Sequence, residues 1–193
     1  MVDRIPIFCT AEIPEEILSS FIACTEDAIS ENHWPESKPV DYVVFMTTLD
    51  PGTRVADNAF APMGAFASPF LGWTLEQLRD WFRVHCDPKS GDYSRYTFIV
   101  LDDQSVKDET CLLVDHHDST VISSLRADFY APLPEALGIE YRGAWMEEGI
   151  LGSFMRSGIV MTKENMKLAM NGGLYIERGE VKLDQAWKDF RNW

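Results

Sequence analysis

The chain has 193 residues, of which 17 are Lys or Arg and 31 are Asp or Glu, so its formal net charge is −14. Nucleic acids and anionic membrane surfaces attract cationic proteins, and this charge argues against both as main partners. Hydrophobic residues make up 46% of the chain and aromatic residues 12%, which is enough for one core, or at most two small ones. The composition therefore predicts an ordered globular protein rather than a disordered chain.

The amino-terminal sequence lacks the basic segment and the apolar stretch of a secretory signal. No window approaches the roughly 20 apolar residues of a membrane-spanning helix. We therefore expect a cytoplasmic protein with no membrane partner. The cysteines, Cys9, Cys24, Cys86 and Cys111, are widely spaced and form no CxxC pair, which favours buried apolar thiols over a metal site or a disulfide framework.

The first part of the chain alternates strand and helix patterns. Residues 4–9 are an apolar run typical of a buried strand, and a helix is predicted from Pro14 to Glu31, where apolar residues recur at helical spacing. A second strand is predicted over residues 41–49. A strand, a long helix and another strand usually form a crossover unit, so these two strands should be parallel.

A long connection, residues 50–72, follows the second strand and shows no periodic pattern. It combines Pro and Gly with aromatic and other apolar residues. Connections of this length are often lids or binding loops, and an ordered loop that packs over the core is the alternative. The next helix is predicted to begin after Thr74, because Thr74 and Gln77 have the spacing of a capping box.

Two further strands are predicted over residues 96–101 and 110–114. The connection between them is too short for a crossover helix, so they should be antiparallel neighbours. A fifth strand is predicted over residues 121–129. Pro132 and Pro134 then indicate a break over residues 131–138.

The pattern of residues 141–161 predicts no definite element. The remaining predicted elements are a helix capped by Thr162 and ending near Met170, a hairpin over 174–177 and 181–183, and a last helix after Asp184. We therefore predict a single α/β domain over residues 1–193. It has a mixed sheet of about five strands covered by helices, and a C-terminal helix–hairpin–helix segment.

Three segments in the middle of the chain occur in an order that resembles a known family. They are Gly72–Leu78 (GWTLEQL), Tyr96–Ser105 (YTFIVLDDQS) and Thr110–Asp115 (TCLLVD). The family is a domain of unknown function found in small acidic proteins of bacteria and fungi, with a TxEQL helix and similar apolar strands. The resemblance covers residues 72–127 and implies an α/β fold. It assigns no catalytic residue, ligand or cofactor.

Asp102 and Asp103 directly follow the third predicted strand. Ligands of open α/β sheets collect beyond the carboxyl ends of parallel strands, and Thr10, after the first strand, would lie at that same edge. A desolvated carboxylate there can act as a general base. The alternative is a hydrogen-bonded turn formed by Asp102, Asp103 and Ser105.

The string Asp115-His116-His117-Asp118 contains residue types that bind metals or transfer protons. Adjacent side chains on a strand point to opposite faces, so the two histidines would not share an ion there. We predict no metal site and retain His116 as a candidate catalytic residue, with a solvated turn as the alternative. If the fourth strand is antiparallel, His116 lies at the opposite sheet edge from Asp102.

Further candidates lie in irregular segments of the chain. Glu147 and Glu148 are candidate acid–base residues within residues 141–161, and a surface position is their alternative. We expect an apolar pocket between this segment and the loop of residues 54–73. The predicted substrate-binding residues are Phe60, Met63, Phe66, Phe70, Trp73, Tyr141, Arg142 and Trp145.

The chain has no GxGxxG, GxxxxGK[ST], GxSxG, HExxH or CxxC motif, so we predict no cofactor. The sequence favours a small cofactor-independent enzyme of the isomerase, cyclase or lyase type, acting on an apolar small molecule in specialised biosynthesis. The alternative is a non-catalytic module that binds a ligand or a protein partner. A second copy of the chain, in a homodimer, is one such partner.

Overall fold

The computed structural model describes residues 4–32, 38–50, 67–86, 93–116, 122–142, 146, 149–170, 174–177 and 180–183. The strands are β1 (Ile5–Cys9), β2 (Val43–Phe45), β3 (Thr97–Leu101), β4 (Thr110–Asp115), β5 (Ser123–Asp128), β6 (Leu174–Glu177) and β7 (Glu180–Leu183). The helices are α1 (Glu15–Glu31), α2 (Pro39–Tyr42), α3 (Leu75–His85), α4 (Asp103–Asp108), α5 (Pro132–Arg142), α6 (Gly149–Ser157) and α7 (Lys163–Met170). The sheet has five strands in the order β2-β1-β3-β4-β5, and β6 pairs with β7 in a hairpin. The predicted mixed α/β fold is confirmed, while the predicted last helix lies outside the described residues.

β1 is the middle strand of the parallel half of the sheet. It pairs with β2 on one side and with β3 on the other, and both pairs are parallel. Side chains alternate along the strand, so Ile7 and Cys9 pack in one core cluster with α1, while Phe8 packs in a second cluster with α3. The crossovers from β1 and from β2 therefore lie on opposite faces. This arrangement makes the carboxyl ends of β1 and β3 a topological switch point.

The antiparallel half of the sheet is formed by β3, β4 and β5. The predicted antiparallel pairing of the third and fourth strands is confirmed, and α4 fills the short connection between them. Met161 runs beside the outer edge of β5. Its N–H donates to the Arg126 carbonyl at 2.9 Å, and its carbonyl accepts from the Asp128 N–H at 2.9 Å. The edge strand is thus covered at this position.

Local capping signals in the sequence have the expected geometry. The Gln77 N–H donates to the Thr74 hydroxyl at 3.3 Å, and the Thr74 N–H donates to the Gln77 side chain at 2.9 Å. The Asn165 N–H donates to the Thr162 hydroxyl at 3.2 Å. Both predicted helix starts are therefore confirmed, because capping depends on side chains only a few residues away.

The predicted break over residues 131–138 is wrong, because residues 132–138 lie in α5. Pro132 and Pro134 occupy its first turn, where the backbone N–H groups have no acceptor within the helix, so proline removes no helical hydrogen bond. The predicted second strand is also too long, because residues 39–42 form α2 and only Val43–Phe45 pair with β1. In the unassigned stretch 141–161, α6 covers Gly149–Ser157.

Asp128 joins two helix starts to the end of β5. Its Oδ1 accepts from the N–H groups of Tyr130 and Ala131 at 3.1 and 3.0 Å, and its Oδ2 accepts from the Lys163 N–H at 2.7 Å. We expect Asp128→Ala to lower the free energy of unfolding by about 1–3 kcal/mol, because these amides lose their acceptor. Urea unfolding followed by circular dichroism measures the change.

Asp27→Ala, at an exposed position on α1, is the matched control and should change stability by no more than about 0.5 kcal/mol. Equal losses in the two variants would contradict the role assigned to Asp128.

Candidate functional site

A pocket of about 430 Å³ opens at the carboxyl end of β1. One wall comes from the connection between β1 and α1, and the other from the segment before α3. The described residues that line it are Cys9, Ala11, Glu12, Ile13, Pro14, Ala67, Ser68 and Leu71. The pocket therefore lies at the switch point, where open α/β sheets bind ligands. Its size falls in the usual range for small-molecule sites, roughly 300–1,000 Å³.

Hydrogen bonds to the end of β1 hold the second wall in place. The Ser68 hydroxyl donates to the Cys9 carbonyl at 2.6 Å and accepts from the Phe70 N–H at 3.2 Å. The Gly72 N–H donates to the Thr10 carbonyl at 2.8 Å. Gly72 has a φ of 73°, a left-handed conformation that a residue without Cβ adopts at little cost. Residues 67–72 are thus fixed against the strand end.

The polar groups in the described lining differ in charge and in whether they already form hydrogen bonds within the protein. Burial raises the pKa of the Cys9 thiol to about 12, so this thiol is neutral at physiological pH. The buried Ser68 hydroxyl is engaged with the backbone as described above. Glu12 is exposed and is the one charged side chain among the described lining residues. The part of the lining that the structure describes therefore combines an apolar surface with a single carboxylate.

Asp102 lies near this edge of the sheet, after β3, but its carboxylate serves the fold. Arg126 forms a two-pronged ion pair with it, and Oδ1 also accepts from the N–H groups of Gln104 and Ser105 at 3.1 and 3.0 Å. Burial alone would raise the pKa of Asp102, but the bonds from Arg126 and Ser105 outweigh it and hold the pKa below 3.8. A carboxylate with a lowered pKa is a weak base. This geometry corresponds to the predicted hydrogen-bonded turn.

The other described acid–base candidates lie apart from the pocket. Asp103 is exposed in the first turn of α4. His116 follows β4 at the opposite end of the sheet from Asp102, because Asp115 pairs with Thr97, the first residue of β3. The buried His116 ring packs against aromatic rings, with its centroid 4.8 Å from that of Phe82. The structure therefore does not bring Asp102 and His116 together.

Two of the predicted substrate-binding aromatics pack within the core cluster beneath α3. Phe70 is fully buried, and its ring centroid lies 4.9 Å from that of Phe8 and 5.1 Å from that of Trp73. Tyr141 and Arg142 end α5, and their side chains lie outside the described part of the chain. The candidates that lie outside the described residues are Phe60, Met63, Phe66, Trp145, Glu147 and Glu148.

Glu12, Ala11 and Ile13 line the pocket but were not predicted as site residues from the sequence. The signal that points to them is their position directly after β1, since the rule that placed Thr10 at the ligand-binding edge also applies to the residues that follow it. Their partners on the opposite wall are much more distant in sequence, and no local pattern connects the two walls.

Comparisons with known proteins add nothing on function to the geometry of the pocket. No family model matches the chain, and no curated protein or solved structure shows a significant match to it. Within the ranges that the structure describes, no helix is both long and apolar enough to cross a membrane. In the same ranges, no three His, Cys, Asp or Glu side chains are grouped so that they could hold a metal ion. The resemblance over residues 72–127 stays a prediction.

The ion pair between Asp102 and Arg126 gives a pH-dependent prediction. Because the folded pKa of Asp102 is below its ordinary value of 3.8, the charged form stabilises the fold above that pH, and the contribution is lost as the pH falls through the folded value. We expect Asp102→Asn to lower the free energy of unfolding by about 1–3 kcal/mol at pH 7. The difference from wild type should shrink towards pH 3, as urea unfolding at several pH values would show.

Asp103→Asn, one residue away at an exposed position, is the control and should change stability by no more than about 0.5 kcal/mol. A difference between wild type and Asp102→Asn that stays constant from pH 7 to pH 3 would contradict the assigned role of the ion pair.

Proposed function

We propose that this protein binds an apolar small molecule in the pocket at the carboxyl end of β1. The proposal rests on one observation, which is that the pocket has both the position and the apolar lining of a small-molecule site. The pocket lies at the switch point of the sheet, has a volume of about 430 Å³ and is lined mainly by apolar groups. Small-molecule sites in sheets of this type have the same position and the same predominance of apolar surface.

The way in which the walls are held supports this proposal. Hydrogen bonds from Ser68 and Gly72 to the backbone of residues 9 and 10 fix the segment before α3. Little conformational entropy is then lost when a ligand enters, because the site is already formed. A pre-formed apolar pocket favours the ligand-binding form of the non-catalytic module considered from the sequence.

Fluorescence of the neutral dye Nile red tests the pocket. Leu71 lines it and keeps 44% of its surface exposed, so Leu71→Arg changes the lining without opening the core. We expect about tenfold weaker dye binding, because removing roughly 1.4 kcal/mol of apolar contact has that effect. The measurement is a fluorescence titration of the dye with each variant.

Val84→Arg is the matched control for this experiment. Val84 is 75% exposed on α3 and is absent from the pocket lining. The Val84→Arg variant should bind Nile red with the same affinity as wild type. Equal binding by Leu71→Arg and wild type, or no binding by wild type, would overturn the proposal.

A cofactor-independent isomerase, cyclase or lyase is the second candidate. Glu12 favours it, because a carboxylate that contacts a bound molecule can accept or deliver a proton. The test uses a neutral compound that displaces Nile red, dissolved with the protein in deuterated water. We expect wild type either to exchange a C–H hydrogen of this compound for deuterium or to convert the compound into a new product. Glu12→Gln should abolish this change, as followed by NMR, while the variant still binds Nile red.

Glu26→Gln, at an exposed position on α1 outside the pocket lining, removes the same charge and should leave the conversion unchanged. Conversion that persists in Glu12→Gln would contradict the role of this carboxylate. An absence of conversion for every displacing compound would leave binding as the function.

A further inference from the structure

We infer that the ligand of this pocket carries a positively charged amine on an apolar body. The inference rests on the proposed function of the pocket and adds the charge of its ligand. The polar side chains in the described lining and the charges that surround them both favour such a ligand.

Within that lining, one side chain can form an ion pair with a charged group of the ligand. The Cys9 thiol is neutral, and the Ser68 hydroxyl donates to a carbonyl at 2.6 Å and accepts from an amide at 3.2 Å. Among the described lining residues, the Glu12 carboxylate is therefore the charged group that a ligand meets, beside apolar side chains such as Ile13 and Leu71. An ammonium group next to a hydrocarbon body matches both parts of this surface.

The surrounding charges act in the same direction. Glu15 and Glu16 are exposed in the first turn of α1, directly after the pocket residues. Their carboxylates offset the positive end of the helix dipole, which amounts to roughly half a unit charge. The whole chain carries a formal charge of −14. A negative field of this kind attracts cationic ligands and repels anionic ones.

An organic amine fits this lining better than an inorganic cation. Ca²⁺ and Mg²⁺ take about six or more oxygen ligands, whereas the described lining supplies one carboxylate and mainly apolar groups. A primary ammonium can donate to one carboxylate and keep its other hydrogens in water at the pocket mouth, because Glu12 is exposed. The apolar lining then contacts the remainder of the molecule.

The test compares 2-phenylethylamine with 2-phenylethanol, which has a hydroxyl in place of the ammonium. Dissociation constants are measured by NMR titration on wild type, Glu12→Gln and the control Glu26→Gln. We expect wild type and Glu26→Gln to bind the amine about two- to fivefold more tightly than the alcohol, which is the range for an exposed ion pair. Glu12→Gln should lose this preference and bind the two probes about equally.

High salt should weaken the preference in wild type, because exposed charges are screened. Equal binding of the two probes by wild type, or a preference that persists in Glu12→Gln, would overturn the inference. If Nile red binds but neither probe does, the inference fails and the pocket proposal stands. If Nile red does not bind, both fail.

Discussion

Burial of both faces of β1 is the constraint on which the rest of the structure depends. Ile5, Ile7 and Phe8 are fully buried although successive side chains point to opposite faces. The chain must therefore place a helix on each side of this strand, and α1 and α3 occupy those places. The connection to α1 leaves the end of β1, the segment before α3 is hydrogen-bonded beside that end, and the pocket lies between the two. The site is thus a consequence of the topology.

Carboxylates at the two ends of the sheet serve different purposes. Asp102 near the carboxyl end is bound by Arg126, and Glu140 at the amino end accepts from the N–H groups of Tyr96 and Thr97 at 2.9 and 3.1 Å. Both stabilise the places where β3 ends or begins. Glu12 is exposed in the pocket lining, so of these three acids it is the one that a ligand of the pocket would contact.

Elements that depend on neighbouring residues could be predicted from the sequence. The α1 periodicity, the capping pair of Thr74 and Gln77 and the short β3–β4 connection are all local signals. The prediction of a break over residues 131–138 failed because proline is accepted in the first turn of a helix but disrupts its interior, and the sequence alone did not show where α5 begins.

The candidate site was harder to predict, because its geometry depends on contacts between distant residues. Ser68 reaches the Cys9 carbonyl across 59 residues, and Arg126 reaches Asp102 across 24. The general rule for sheet edges pointed to the edge at which the pocket lies, but it did not say which acid there would form an ion pair with an arginine from β5. Burial and ion pairing, which decide that question, arise only in the folded chain.

The bridge formed by Met161 has a consequence for self-association. Exposed strand edges invite pairing with other chains, and proteins limit this risk by covering such edges or keeping them short. Met161 occupies backbone groups on the outer edge of β5, and β2 at the other edge is only three residues long. Among the residues that the structure describes, one border of the sheet is partly covered and the other is short, which limits the row of open hydrogen-bonding groups that a strand of another chain could pair with.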